Sequence, residues 1–157
     1  MKVLIGSDKS GFALKEYLLE QLTALGYEVI DKGTPDLDHV MPFFAVAPVV
    51  AQAIQAGEGE KAILICGTGM GMSQVANKYP GILAACCESV YAARMCRAIN
   101  NSNILCMGGW VIAPGMALEM AQTFLTTEHT QGLEEWRQEF LKNAFVKVQE
   151  IDQQTRK

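Results

Sequence analysis

Ala62-Ile63-Leu64-Ile65-Cys66-Gly67-Thr68-Gly69-Met70-Gly71-Met72-Ser73 is the stretch that decides the fold. Its unbroken apolar run predicts a strand buried on both faces, since a half-exposed strand would alternate. The run meets a cysteine and then glycines at positions 67, 69 and 71, after which helix-compatible residues continue to Asn77-Lys78. A buried strand that turns through glycines into a helix aims backbone N–H groups, and the positive end of the helix dipole, at one point. Glycine admits close approach of a ligand and the positive φ that such turns often need. Cys66 falls at the strand's carboxyl end, where a thiolate is favoured and can act as base or nucleophile. A tight turn with a buried cysteine behind it fits the same residues. The strand-tip position and the three glycines favour a site.

On the amino-terminal side, residues 2–6 read as a first strand, followed by the loop Ser7-Asp8-Lys9-Ser10-Gly11. Leu14, Leu18, Leu22 and Leu25 then recur at helical spacing until Gly26. Residues 27–31 form a second strand, a loop runs to Pro42, and a helix covers roughly 43–56, with Pro48 near its start or kinking it. Beyond the central stretch come a strand at 82–86, a helix at 89–99, a strand at 103–107 and a helix from Pro114 to about Leu125. This alternation predicts an α/β, Rossmann-like three-layer fold with a parallel sheet of about five strands, right-handed crossovers and helices on both faces. Ligands of such sheets bind beyond the strand carboxyl ends. Those ends carry Asp8, Asp31-Lys32-Gly33, Cys66-Gly67-Thr68, Cys87-Glu88 and Gly108-Gly109.

Residues 1–130 are expected to form this domain, and 131–157 a C-terminal helix and tail. Trp136, Phe140, Leu141, Ala144, Phe145, Val148 and Ile151 make an apolar stripe that needs a surface to cover, either its own domain or a second copy. The polar residues 152–157 are expected to fray.

The chain's 157 residues suffice for one domain with a real core. A net charge of −4 with no basic run gives no support to a nucleic-acid or anionic-membrane partner. No apolar run approaches a membrane span, and the amino terminus reads as a strand rather than a signal peptide. Cys66, Cys86, Cys87, Cys96 and Cys106 show no CxxC or zinc spacing, which suits reduced thiols in a cytoplasm. With only His39 and His129, no histidine-based metal site is expected. A dinucleotide fingerprint is weak: Gly67-x-Gly69 follows the third strand instead of the first, and Met72 stands where a third glycine belongs.

The order of these matches resembles the type B ribose-5-phosphate isomerases and the galactose-6-phosphate isomerase subunits. Ile5-Gly6-Ser7-Asp8, Gly11-Phe12, Leu14-Lys15-Glu16, Val29-Ile30-Asp31 and Gly33-Thr34 carry the resemblance first. The stretch 63–73 with Ala76-Asn77-Lys78 is its strongest part, and Gly81-Ile82, Asn100, Asn103, Gly108 and Leu118-Glu119 extend it. The resemblance implies aldose–ketose isomerisation through an enediolate, with no metal or organic cofactor. By the same resemblance Cys66 is the base, Thr68 handles protons, and the N–H groups of Gly67, Gly69 and Gly71 stabilise the enediolate oxygen. Asp8 and Asn100 bind sugar hydroxyls, and sites built between subunits imply a homodimer or dimer of dimers.

The departures from the family bear on the substrate. Lys9 and Ile99 stand where the ribose enzymes have histidines, the second of them linked to ring opening. Val40-Met41-Pro42 replaces Asp-Tyr-Pro, and Trp110 replaces an arginine near the phosphate. Of a late cationic cluster only Arg137 remains, with Lys9 as a substitute. Isoleucine donates no proton, and neither Trp110 nor Leu133 pairs a phosphate dianion. The expected substrate is therefore a sugar or sugar phosphate other than ribose-5-phosphate: a short ketose phosphate, a hexose phosphate or an unphosphorylated sugar. A solvated surface fits Lys9, Glu88 and Glu134 as well, and core or interface packing fits Ile99, Trp110 and Leu133. The alternatives are a non-catalytic sugar- or nucleotide-binding paralogue, and one subunit of a hetero-oligomeric isomerase.

Overall fold

The computed structural model describes residues 1–156. Strands β1 (Lys2–Ser7), β2 (Glu28–Asp31), β3 (Lys61–Cys66), β4 (Ala84–Cys86) and β5 (Ile104–Gly108) form one sheet in the order β2-β1-β3-β5-β4, with every pairing parallel. Helices α1 (Phe12–Ala24), α2 (Phe43–Gln55), α3 (Met70–Ala76), α4 (Val90–Ala98) and α5 (Pro114–Thr126) connect or follow them, and α6 (Glu135–Thr155) closes the chain.

The period of two along each strand sorts the core into two layers. Val3, Ile5, Ile63, Ile65, Leu105 and Met107 pack beneath α1, α4 and α5, meeting Leu18, Ala93 and Phe124. Leu4, Ala62, Leu64, Cys66, Ile104 and Cys106 face the other way, onto α2 and α3 at Val46, Val50, Met72 and Ala76. The central strand β3 is thus buried on both faces, as its continuous apolar run requires.

The layers also position the site. The chain leaves β1 towards one face through α1, and leaves β3 towards the other through α3. Their tips diverge and open a crevice between adjacent strands. Fully buried Lys15 ties the α1 side of that crevice down: its ammonium donates to the Asp31 carboxylate and, at 2.6 Å, to the Thr34 carbonyl. At the opposite end of the sheet, Arg97 donates to the carbonyls of Thr127 and Ser102, and Lys61 to that of Leu125. Burial lowers the pKa of both cations, and the nearby Glu128 carboxylate works against that shift.

Several boundaries depart from the sequence reading. Strand β4 is only Ala84–Cys86, because Leu83 N–H and Ala84 N–H bond to the side chains of Asn103 and Asn77 instead of a ladder. Pro48 lies within α2, not at its start. The tail does not fray as expected: Asp152 accepts from Gly81 N–H at 3.1 Å, and Arg156 reaches the carbonyls of Lys78 and Asn77, which anchors the last turn of α6. Lys157 lies outside the described residues. Of the apolar stripe, Leu141 is buried against the chain's own domain and Phe145 meets the His129 ring at 5.6 Å. Trp136, Phe140, Val148 and Ile151 remain exposed.

Candidate active site

Cys66 ends β3 and, 5% exposed as a residue, lines a cleft of about 190 Å³. Asp8, Ser10, Phe43, Gly67, Thr68, Gly71 and Trp110 complete the lining. The cleft stands beyond the carboxyl ends of β1 and β3, where the divergence of α1 and α3 opens the sheet.

Backbone bonds hold the loops around it. Asp8 N–H donates to the Ile65 carbonyl at 3.2 Å, and Gly109 N–H to the Cys66 carbonyl at 2.7 Å. Trp110 N–H donates to the Gly67 carbonyl at 3.0 Å. Asp8 Oδ1 accepts from Gly11 N–H at 3.1 Å, closing the β1 loop and aiming the carboxylate. Three strand tips are thereby fastened to one another around the thiol.

The glycines have separate local reasons. Gly69 adopts φ +81°, which brings its N–H within 3.1 Å of Cys66 Sγ, where it donates. A Cβ at Gly67 would lie 2.7 Å from the Trp110 ring, and one at Gly71 would lie 2.9 Å from the Phe43 ring. Two aromatic rings therefore sit directly on the glycine loop. Gly71 N–H, in the first turn of α3, has no acceptor among the described residues. Thr68 Oγ1 accepts from Met70 N–H at 3.4 Å, which leaves its own hydroxyl proton available. Cys86, at the tip of β4, contacts the Thr68 carbonyl through its sulfur at 3.5 Å. Partial burial, with the Cys87 thiol and Glu88 beside it, pushes the Cys86 thiol up.

Of the residues singled out from sequence, the fold brings Asp8, Cys66, Gly67, Thr68 and Gly71 into the cleft, with Gly69 beneath it. Lys9 is exposed at the rim, between two lining residues. Asn100 and Arg137 are not with them. Asn100 lines a separate cavity of about 310 Å³ between α6 and the β4 edge, together with Ile99, Leu141 and Phe145. Arg137 occupies the first turn of α6 and lines neither cavity.

Sequence reasoning passed over Ser10 and Phe43, and Trp110 does not belong to its own chain's core, being 74% exposed there. Ser10 and Trp110 closely follow the carboxyl ends of β1 and β5, and that position was the signal available, whereas Phe43 opens α2 beyond a loop. Both histidines lie outside the cleft, and no cluster of three or more metal-ligating side chains occurs among the described residues. No helix among those residues is long and apolar enough to cross a membrane.

A family profile described as Ribose/Galactose Isomerase matches residues 3–141. A relative from Clostridium sp. (strain MSTE9), named 4-deoxy-4-sulfo-D-erythrose isomerase, is 63% identical over 153 residues, covering 98% of this chain and 96% of its own. The D-erythrulose-4-phosphate isomerase of Pectobacterium atrosepticum is 35% identical over 132 residues, covering 84% and 87%. A solved structure of Clostridium thermocellum ribose-5-phosphate isomerase B superposes with a TM-score of 0.89 at 39% identity, covering 99% of both chains. The chain is an isomerase of the aldose–ketose type, and it belongs to the ribose/galactose isomerase family.

Proposed function

We propose that this chain interconverts a four-carbon aldose and its ketose, the terminal carbon carrying a sulfonate, through an enediolate with Cys66 as the base. The carrying observation is Ile99, beside Asn100, where the ribose enzymes carry the ring-opening histidine, together with a cleft whose own lining holds Cys66, Thr68 and Asp8 and no imidazole. Closing a five-membered sugar ring on C1 requires a free hydroxyl at C4. A tetrose whose C4 hydroxyl is replaced cannot cyclise in that way, so it presents an aldehyde without help. The 63% identical relative is named for such a substrate, and this supports the reading.

The Cys66 thiolate removes the proton from C2 while charge moves onto the carbonyl oxygen at C1. The resulting enediolate accepts hydrogen bonds from the loop N–H groups, of which Gly71 has no other acceptor. Thr68 carries the proton from the oxygen on C2 to the oxygen on C1, and the thiol returns its own proton to C1. Asp8 accepts from a substrate hydroxyl. Asn100 and Arg137 lie outside the Cys66 cleft of their own chain, so a second copy brings them to the site and the working unit is a homodimer or a larger assembly of such pairs.

Incubation of the full chain with C4-sulfonated erythrose, erythrose-4-phosphate, ribose-5-phosphate and unphosphorylated pentoses tests the assignment, with ketose or aldose product followed by NMR. Fastest turnover of the sulfonated tetrose supports it. Preference for ribose-5-phosphate, or turnover of no member of the panel by folded protein, contradicts it.

A further inference from the structure

Trp110 combines exposure with a fixed position. Its indole is 74% exposed, so burial does not hold it. Two backbone bonds fix its main chain, from Gly109 N–H to the Cys66 carbonyl and from Trp110 N–H to that of Gly67, and the ring rests on Gly67. The ring meets Gly67 through Cε3, Cζ3 and Cδ2, atoms of its six-membered ring. Nε1–H donates to no acceptor among the described residues. Phe43 forms the facing wall over Gly71.

The charges around this cleft are few. Its lining contains the Asp8 carboxylate and no cation, with the hydroxyls of Ser10 and Thr68 as neutral donors. Lys9 stands at the rim and enters no ion pair among the described residues. With Arg137 from a second copy, two cations face the Asp8 carboxylate and the Cys66 thiolate, which leaves no surplus positive charge for a dianion.

Resting on the function proposed above, we propose that Trp110 is a specificity-determining residue that makes the site select a substrate tail with one negative charge, a sulfonate over a phosphate on the same four-carbon skeleton. The indole face carries the negative side of the ring quadrupole and repels anionic oxygens, while its N–H edge donates one neutral hydrogen bond. A sulfonate keeps one charge throughout the working pH range. A phosphate ester carries about −1.5 to −2 at pH 7 because its second pKa is about 6. The additional charge would enter a walled cleft with no further cation, at a desolvation cost the sulfonate does not meet.

The test is the ratio of kcat/KM for C4-sulfonated erythrose to that for erythrose-4-phosphate, measured on the full chain from pH 5.5 to 7.5. Titration of the catalytic groups cancels in this ratio. Selection of the monoanion predicts a ratio that rises about twentyfold across that range, following loss of the phosphate's last proton. Trp110→Arg should lower the ratio at pH 7.5 at least tenfold, mainly through KM for the phosphate. Trp110→Phe keeps the apolar wall and should retain the pH-dependent ratio. A ratio in the native chain that does not change with pH overturns the inference even if every variant misfolds, and so does an unchanged ratio in folded Trp110→Arg. Neither result touches the isomerase assignment, which stands or falls on whether either tetrose is turned over by a Cys66-dependent reaction.

Discussion

Replacing Gly69 by alanine strains the chain twice at one atom. The residue holds φ +81°, a region that costs an L-residue about 1–2 kcal/mol. The new Cβ would also stand 2.9 Å from the Met107 carbonyl carbon and 3.0 Å from Cys86 Sγ. Met107 belongs to β5, which is paired on both sides, so the main chain there has no room to retreat. Overpacking of this kind adds about 1–3 kcal/mol. At about 2–4 °C per kcal/mol for a chain of this size, Tm should fall by about 4–20 °C. Gly57→Ala is the control: φ is +74° there, but an added Cβ meets nothing within 4 Å. Its loss should be the conformational part alone, about 2–8 °C. Thermal melts of both variants at one protein concentration read the difference. Gly69→Ala should also lose more activity than its stability explains, because the N–H that meets Cys66 Sγ moves with the turn. Equal melting losses in the two variants would refute the reasoning.

Stability should also depend on pH through His129. Burial, with Arg97 and Lys142 nearby, holds its pKa below the ordinary value, while a backbone contact with Ile99 opposes the shift. The unfolded chain then takes up its proton first, near the ordinary value of about 6.5, so stability declines as pH falls from there to the lower folded value. His129→Gln should flatten the fall in Tm between pH 7.5 and 5.0, and an undiminished fall would assign it to other groups. The proposal that two copies share each site is open to complementation. Cys66→Ala and Arg137→Ala should each be inactive alone, yet recover about a quarter of native activity when unfolded and refolded together, since half of random dimers carry one intact site. No recovery from correctly assembled mixtures would place both residues' roles within a single chain.

The sequence was most legible where a physical constraint left one option. An apolar run from Ala62 into Cys66 that is covered on both faces can only be an interior parallel strand, and β3 is the centre of the sheet. The glycine turn followed for the same reason, since neither φ +81° at Gly69 nor an indole against Gly67 admits a side chain. Less legible were features decided by distant segments. The β4 strand stops short because Asn77 and Asn103 take its N–H groups, and the polar tail is fixed by Gly81, Asn77 and Lys78. Family resemblance named Asn100 and Arg137, which lie outside the Cys66 cleft of their own chain. Phe43 and Trp110 are aromatic and resemble packing residues, and only their exposed positions over the glycine loop reveal them as walls of the cleft. An isomerase acting on something other than ribose-5-phosphate was readable from Ile99, Trp110 and Leu133, and relatives named for four-carbon sugars agree with it.

The most direct test of Cys66 as base is deuterium incorporation from heavy water into C4-sulfonated erythrose, followed by proton NMR in the native chain and in Cys66→Ala. The native enzyme should exchange the proton at C2 of the aldose and one at C1 of the ketose. The variant, with the same circular dichroism and melting behaviour, should exchange neither above the uncatalysed rate. Exchange that persists in folded Cys66→Ala would mean that another group takes the proton.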